Sequence, residues 1–499
     1  MRTRTRGTAA LAGLMLVSGI AGSVAVSGAT SATAAAQPPR EIRNVIYLLG
    51  DGMGRTHVTA ARERYYGASG RLNMERFPAV GQVSTYAVEP NSGQKGDADF
   101  APNLVTDSAA SATAWSSGVK SYNGALGVDA KGNVVPTVME LAHQAGLRTG
   151  NVSTAEITDA TPAGQFSHAL MRGCQGPSYS AAACQNTAVT GGAELPTTDV
   201  RVTPIADQIA RNNTADVILG GGLSRFDAAD EDALKAHGYS VLGSPASQTV
   251  ATGDDLAGAS GRKVFGLFNK GNLTIEKYKR ENPTSVQAEE PSLAEMTTKA
   301  ISLLKSGKKG FYLQVEGALI DKRSHANDAA QTLEETKAFD DAVKVARDFA
   351  AADGHTLVIV TADHECAGFN IIEKGSYTNA EAVAPPANTD SGNTANNSTP
   401  SRSSSGAKDA TRSTGIINGA GSADPKNFAP ATFRTPDDAA GVQDGSPEAS
   451  LWLTYLSGNH TGADVPLFAF GPGSQKLGGK SIDNTRLFTI VGRALGLTS

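Results

Sequence analysis

The sequence predicts an α/β protein, built as a three-layer α/β/α sandwich around a large, mostly parallel central sheet. Three short, largely apolar runs support this class, because such runs are typical of strands buried on both faces of a parallel sheet. The runs are 45–49, 311–315 and 357–361. Each is followed by candidate metal ligands, at Asp51, at Glu316 and at Asp363-His364. Since open α/β sheets bind ligands at the carboxyl ends of their strands, these ends predict one metal centre.

Helix-like segments alternate with the strand-like ones, as in a parallel sheet covered on both faces. The predicted helices are 138–145, 204–211 and 331–352, and two further strands are 148–153 and 215–219. In the longest helix, Leu333, Phe339 and Val343 follow a 3.6-residue period, and Gly354 ends the pattern.

The first 36 residues have the composition of a secretory signal peptide. Arg2, Arg4 and Arg6 precede an apolar stretch, and Ala34-Ala35-Ala36 offers an A-x-A cleavage site. A membrane anchor is the alternative, but the apolar stretch is rich in Gly and Ser. We therefore expect a secreted protein without membrane contact after cleavage, with residues 37–499 as the folded domain.

A surface insertion is predicted over residues 373–450. Its centre, 388–406, contains a single apolar residue, Ala395, and cannot bury enough surface to offset its ordering entropy. We expect this centre to be flexible and the fold to resume at Leu451.

Charge and cysteine content limit the partners and the compartment. The net charge is −5 and basic residues are dispersed, so nucleic acid is not favoured as a partner. Cys174 and Cys184 lie in a loop rich in small residues, where export favours a disulfide over two free thiols. Cys366 could be a soft metal ligand, but a buried small hydrophobic residue is the preferred interpretation.

Further metal ligands are predicted from histidine spacing. Asp321 and His325 are four residues apart and would project from one face of a helix, although a solvated turn would also explain them. His460 lies in a glycine-flanked turn that could supply another imidazole. The other histidines lack such neighbours and are assigned to surface or core: His57, His143, His168, His237 and His355.

A nucleophile is predicted at Ser108, near the start of a helix that Gly118 ends. Free backbone N–H groups there favour anions, although Asp107 or Ser108 could be a helix cap alone. With no histidine nearby in sequence, a metal is the natural activator of the hydroxyl. A second helix is predicted from Thr158 towards Arg172, whose guanidinium could bind phosphate or form a salt bridge to Asp107.

Together these segments resemble bacterial alkaline phosphatase. They occur in that family's order and extend over nearly the whole chain after the signal peptide. The matching segments are Gly50–Gly54, Thr106–Ala114, Asp159–Pro162, Gln314–Gly317, Asp321-Lys322, His325, Thr361–His364 and His460–Gly462.

The resemblance implies two zinc ions and one magnesium ion per subunit. The implied ligands are Asp321, His325 and His460 for one zinc, Asp51, Asp363 and His364 for the other, and Asp51, Thr161 and Glu316 for magnesium. This division fits general preferences, since imidazole and carboxylate suit zinc and an all-oxygen set suits magnesium.

The resemblance also implies phosphomonoester hydrolysis (EC 3.1.3.1) through a phosphoserine on Ser108, with broad specificity and a role in phosphate scavenging. Arg172, oriented by Asp107, would bind two phosphate oxygens, and Asp159 and Lys322 would act through water. Many members of the family resembled form homodimers through a long arm ahead of the first aspartate. Here only residues 37–50 precede Asp51 after cleavage, so a homodimer remains only one alternative for the assembly.

Three other functions are less consistent with these residues. A sulfatase is disfavoured because residues 108–112 lack the C/S-x-P-x-R motif. A phosphodiesterase of the same superfamily is disfavoured because Thr161 and Glu316 complete a magnesium site that diesterases usually lack. A non-catalytic metal- or phosphate-binding surface protein is disfavoured because Ser108 and Arg172 are intact. Glu365 has no role that the sequence assigns.

Overall fold

The computed structural model describes residues 42–374, 431–446, 448–456 and 458–498. Strands in these residues are β1 Asn44–Gly50, β2 Ala79–Ser84, β3 Ala87–Val88, β4 Pro102–Asn103, β5 Arg148–Glu156, β6 Val217–Gly221, β7 Tyr239–Leu242, β8 Lys263–Leu267, β9 Phe311–Gly317, β10 Thr356–Thr361, β11 Glu365–Cys366, β12 Asn370–Ile371, β13 Ala431–Phe433, β14 Leu451–Thr454, β15 His460–Thr461, β16 Val465–Phe470 and β17 Ser481–Asp483. The α-helices of the same residues are α1 Arg55–Tyr66, α2 Ser108–Ser117, α3 Val138–Gln144, α4 Ala160–Ala163, α5 Ala181–Cys184, α6 Ile205–Asn212, α7 Ala228–Ala236, α8 Gly253–Gly258, α9 Glu276–Glu281, α10 Leu293–Leu304, α11 Leu319–His325, α12 Ala329–Asp353 and α13 Thr485–Ala494.

A single large sheet organises the described part of the chain. Its ten strands lie in the order β17-β2-β16-β10-β1-β9-β5-β6-β8-β7. Strand β16 is antiparallel to both of its neighbours, and the other pairings are parallel. The predicted α/β class with a mostly parallel central sheet is therefore confirmed.

Helices cover both faces of this sheet, as strand β9 shows. Phe311 packs against Phe349 of α12, with ring centroids 5.9 Å apart. The hydroxyl of the next residue, Tyr312, donates to Gln165 just beyond α4, at 3.2 Å. Because successive side chains of a strand point to opposite faces, α12 and α4 lie on opposite sides of the sheet.

The register of the central strands brings the predicted ligand positions to one edge. Leu49 of β1 lies opposite Glu316 of β9 and opposite Thr361 of β10. Every residue of these three strands is buried. Asp51, Glu316 and Asp363 therefore sit at adjacent strand ends.

One predicted helix is wrong. Helix α4 ends at Ala163 and does not continue towards Arg172. Instead, the backbone of Ala169 exchanges hydrogen bonds with that of Leu126, at 2.8 and 2.9 Å, so this segment pairs with a distant loop rather than with itself. Arg172 is consequently placed by a tertiary contact.

The predicted disulfide between Cys174 and Cys184 is present. Cys366 is buried, as its preferred interpretation required. None of the helices described is long and apolar enough to cross a membrane.

The proposed signal peptide, residues 1–36, and the insertion centre, 388–406, lie outside the described residues. Within the predicted insertion, β13 is fully buried and pairs with β14, which also pairs with β12. Residues 431–433 of the predicted insertion therefore belong to a three-stranded sheet with β12 and β14.

Candidate active site

A first group of donors lies where β1 and β10 end, and we call Asp51, Asp363 and His364 the Asp51 cluster. Their candidate ligand atoms all lie within 4.8 Å of one another. His364 Nε2 is 3.1 Å from Asp363 Oδ2 and 3.6 Å from Asp51 Oδ1. The other Asp363 oxygen accepts from the backbone N–H groups of Gly52 and His364, at 3.0 and 2.9 Å. These bonds orient the Asp363 carboxylate towards the cluster.

A second group, the Asp321 cluster, comprises Asp321, His325, His460 and also Cys366, again with ligand atoms within 4.8 Å of one another. Asp321 Oδ2 and His325 Nε2 are 3.2 Å apart on α11, so these residues share a helix face as predicted. Strands β11 and β15 place Cys366 directly opposite His460. A ligand role for Cys366 was the less favoured interpretation of the sequence, because its position depends on this cross-strand pairing.

The histidine tautomers of the Asp321 cluster leave only acceptor atoms facing its centre. Nδ1 of His325 donates to the carbonyl of Gly458 at 2.7 Å, and Nδ1 of His460 donates to that of Thr106 at 3.0 Å. The two Nε2 atoms face each other at 3.1 Å. Burial lowers the pKa of His460 to about 3, so its ring is neutral. Facing lone pairs beside a carboxylate fit a bound cation.

The two clusters adjoin each other. The rings of His364 and His460 stack with centroids 3.6 Å apart. Burial raises the pKa of Asp51 well above its usual range, and the nearby carboxylates of Asp363 and Asp321 add to the effect. So much buried negative charge requires compensation, which a divalent cation at each cluster would provide.

Oxygen donors for a third cation lie beside the Asp51 cluster. Glu316 belongs to neither group of close ligand atoms, yet its charge also raises the pKa of Asp51. Burial raises the pKa of Glu316 itself to about 8. In the part of the chain that the structure describes, Thr161 Oγ1 is buried without a hydrogen-bond partner. An unpaired hydroxyl oxygen and carboxylates are the ligand types that magnesium prefers.

Ser108 is the first residue of α2 and is only 3% exposed. Its Oγ lies 3.1 Å from His364 Nε2 and 3.5 Å from each carboxylate oxygen of Asp51. The preceding residue, Asp107, caps the helix by accepting from the N–H of Ala110 at 2.9 Å. The predicted nucleophile is thus at the Asp51 cluster and at a helix N-terminus.

Arg172 joins this site through two aspartates. Nη1 lies 3.2 Å from Asp107 Oδ2, and Nη2 lies 2.8 Å from Asp159 Oδ1. Lys322 Nζ is 3.1 Å from the other Asp159 oxygen. Burial alone would raise the pKa of Asp159, but Lys322 and Arg172 hold it well below its usual range. Asp107 is therefore both a helix cap and a partner of Arg172, so the two interpretations of the sequence hold together.

Two supporting serines were not predicted. Ser153 of β5 donates to Glu316, and the parallel register of β5 and β9 places these residues opposite each other. Ser111 of α2 donates to the carbonyl of Asp363 at 2.9 Å. A hydroxyl within a buried strand was the available signal for Ser153, but its partner depended on the strand order.

Glu365, to which the sequence assigned no role, has a structural role. Its carboxylate accepts from the N–H groups of Gly368 and Phe369, at 3.1 and 3.0 Å, and from the hydroxyl of Thr461. It therefore stabilises the turn after β11 and connects β11 to β15, the strands that hold Cys366 and His460.

A buried hydroxyl beside adjoining donor sets for divalent cations, at the carboxyl edge of an α/β sheet, is the arrangement of a metal-dependent phosphoryl-transfer enzyme. Comparison with known proteins specifies the family. The family model for alkaline phosphatase matches residues 42–497, and the chain belongs to that family of metal-dependent phosphatases. Its members hydrolyse phosphate monoesters (EC 3.1.3.1).

Individual relatives agree with this assignment. The alkaline phosphatase of Escherichia fergusonii is 41% identical over 363 residues, which are 67% of this chain and 72% of that protein. Alkaline phosphatase 3 of Bacillus subtilis is 32% identical over 528 residues, covering 97% and 96% of the two chains. The alkaline phosphatase structure from the Antarctic bacterium TAB5 matches with a TM-score of 0.61 and 25% identity, covering 93% of this chain and 100% of that one.

Proposed function

We propose that this chain is a secreted phosphatase that hydrolyses phosphate monoesters through a covalent phosphoserine on Ser108. The supporting observation is the position of Ser108 Oγ, 3.1 Å from His364 and 3.5 Å from Asp51. A nucleophile in this position would contact the phosphoryl group of the ester rather than its alcohol part. We therefore expect broad specificity and a role in phosphate scavenging.

We propose two zinc ions and one magnesium ion for this site. The zinc ligands would be Asp321, His325 and His460 at one position and Asp51, Asp363 and His364 at the other, and the magnesium ligands would be Asp51, Thr161 and Glu316. The donor types support this division. A mutant of the TAB5 enzyme has been solved with Mg bound in its M3 site. When bound, such cations stabilise negative charge on the attacking and leaving oxygens.

The residues of this chain have separate roles in the reaction. Arg172 binds two non-bridging oxygens of the substrate, while Asp107 and Asp159 hold its guanidinium plane. Ser108 Oγ gives up its proton and forms a bond to phosphorus as the ester P–O bond breaks, and the leaving oxygen takes up a proton and departs as the alcohol. A water molecule then gives up a proton and attacks phosphorus. The bond between Ser108 Oγ and phosphorus breaks, and Ser108 takes up a proton as inorganic phosphate is released. Two inversions give net retention at phosphorus. Besides its direct contact with Arg172, Asp159 would act on the site through water, as would Lys322.

Comparison of a nitrophenyl monoester with the bis-nitrophenyl diester tests this proposal. The monoester carries more negative charge for Arg172 and the metal clusters, and one such charged hydrogen bond is worth about 1.5–3 kcal/mol. We expect kcat/KM for the monoester to exceed that for the diester by about 10²-fold or more. Faster turnover of the diester would instead identify a phosphodiesterase, and turnover of neither would favour the non-catalytic alternative.

Replacement of Arg172 should weaken phosphate binding selectively. We expect Arg172→Ala to lower kcat/KM for the monoester by about 10²-fold, because both charged hydrogen bonds to the phosphoryl oxygens are lost. Arg172→Lys should recover only part of the loss, since an ammonium group lacks the planar fork. Inhibition by inorganic phosphate should weaken in parallel.

Arg201→Ala is the matched control. Arg201 also pairs with an aspartate, Asp199, at a distance of 2.7 Å, but this pair does not belong to the clusters. It should leave inhibition by phosphate unchanged. Unaltered phosphate inhibition in Arg172→Ala would contradict the proposed role of Arg172.

The proposed secretion has its own measurement. N-terminal sequencing of the protein recovered from the culture medium should begin near Gln37. Retention in the cell with an intact N-terminus would count against a signal peptide.

A further inference from the structure

His57 connects two segments that carry candidate metal ligands. It lies on α1, directly after the Gly50–Gly54 segment that contains Asp51, and it is completely buried. Its ring packs against Phe369, with centroids 4.7 Å apart. On its other side lies Ser324, which precedes His325 on α11. A histidine that the sequence assigned to surface or core thus bridges the Asp51 segment and the helix of the Asp321 cluster.

The hydrogen bonds of His57 fix its tautomer. Nδ1 accepts from the backbone N–H of Gly54 at 3.1 Å, so the ring proton is on Nε2. Nε2 donates to Ser324 Oγ at 3.0 Å, and Ser324 Oγ donates to the carbonyl of Ile320 at 2.8 Å. Each donor in this series of hydrogen bonds therefore has one acceptor. Burial lowers the pKa of His57 to about 3, so the neutral ring is the form present.

The two bridged segments also pack tightly beside His57. A Cβ atom at Gly52 would lie 2.7 Å from Asp321 Oδ1 and 2.8 Å from Cys366 Cβ. The residue after Asp51 therefore contacts the Asp321 cluster directly, with no space for a side chain. Because the contact is so close, a small shift of the Asp51 segment relative to α11 would change the separation of the ligands in both clusters.

We propose that His57 is a positioning residue that holds the Asp51 segment and α11 at the separation which both metal clusters require. It touches neither the substrate nor the metals and acts through Gly54 and Ser324. This inference rests on the metal clusters of the proposed function. The side-chain partners of metal ligands typically contribute 10–100-fold to metal affinity, and His57, which contacts the neighbours of ligands rather than the ligands, should contribute at the lower end of this range.

Zinc release from the metal-loaded protein to a chromophoric chelator tests the proposal. We expect His57→Leu, which removes both hydrogen bonds, to release zinc about 10-fold faster than the wild type. His57→Asn retains an acceptor near Gly54 and His57→Gln retains a donor near Ser324, so each should give an intermediate rate. Ser324 also interacts with Tyr455, but its connection to the Asp51 segment passes through His57. The double variant His57→Leu/Ser324→Ala should therefore release zinc no faster than His57→Leu.

His168→Leu controls for a general loss of stability. His168 is also buried, but its hydrogen bonds go to Gly127 and Glu140, at 2.8 and 2.9 Å. It should lower the unfolding temperature of the metal-free protein without faster zinc release. A His57→Leu rate equal to that of the wild type, or fully additive effects of His57→Leu and Ser324→Ala, would overturn the role of His57.

Metal analysis of the wild-type protein separates failure of this inference from failure of the proposed function. A wild type that binds no zinc when loaded would overturn the clusters and, with them, the role of His57. A zinc-loaded wild type whose release rate is insensitive to His57 would overturn this role alone.

Discussion

Ser108→Ala should abolish the phosphoenzyme and reduce monoester turnover by about 10³-fold or more, since covalent catalysis requires the hydroxyl oxygen. Residual activity would come from water attacking a phosphoryl group that Arg172 and the metal clusters still bind. Acid-quenched protein incubated with a ³²P-labelled monoester would show label on the wild type and none on the variant.

Ser116→Ala is the matched control for this change. Ser116 lies on the same helix and is equally buried, and its Oγ has no hydrogen-bond partner among the described residues. It should keep both the label and the turnover. Retention of full activity by Ser108→Ala would refute the phosphoserine mechanism.

Removal of metal should reduce turnover about as much as Ser108→Ala does. A strong chelator should eliminate nearly all turnover, because the cations that compensate the buried carboxylates of Asp51 and Glu316 would be lost. Burial raises the pKa of Asp51 strongly and that of Glu316 to about 8, so both favour the protonated form without a cation. Loss of structure around the clusters should accompany the loss of activity.

Zinc together with magnesium should restore the activity of the chelated protein. Elemental analysis of the restored enzyme should give two zinc ions and one magnesium ion per chain. Full recovery with magnesium alone would contradict the zinc assignment, and activity unaffected by a chelator would contradict metal dependence as a whole.

The sequence predicted the central architecture because its signals are local. Each of the three apolar runs lies within a buried strand, and an acidic residue stands at the end of that strand or within two residues of it. The parallel class follows from alternation with helices, and it places all such ends at one edge. Asp51, Glu316 and Asp363 could therefore be grouped before any distance was known.

Features that depend on long-range pairing could not be predicted from local sequence patterns. The position of Arg172 depends on backbone bonds between Leu126 and Ala169, which no local pattern indicates. Strand β13 is only three residues long, and its burial depends on pairing with β14. The partners of Ser153 and His57 lie far along the chain, so their contributions emerge only from the fold.

Asp107 performs two tasks with one carboxylate. Oδ1 accepts from Ala110 and sets the first turn of α2, while Oδ2 holds the guanidinium of Arg172. The group that starts the helix of the proposed nucleophile is thus the group that restrains Arg172, the proposed phosphate ligand. We expect a change at this position to alter the attack geometry and the retention of product together, so that speed of attack and speed of phosphate release could not be adjusted independently there.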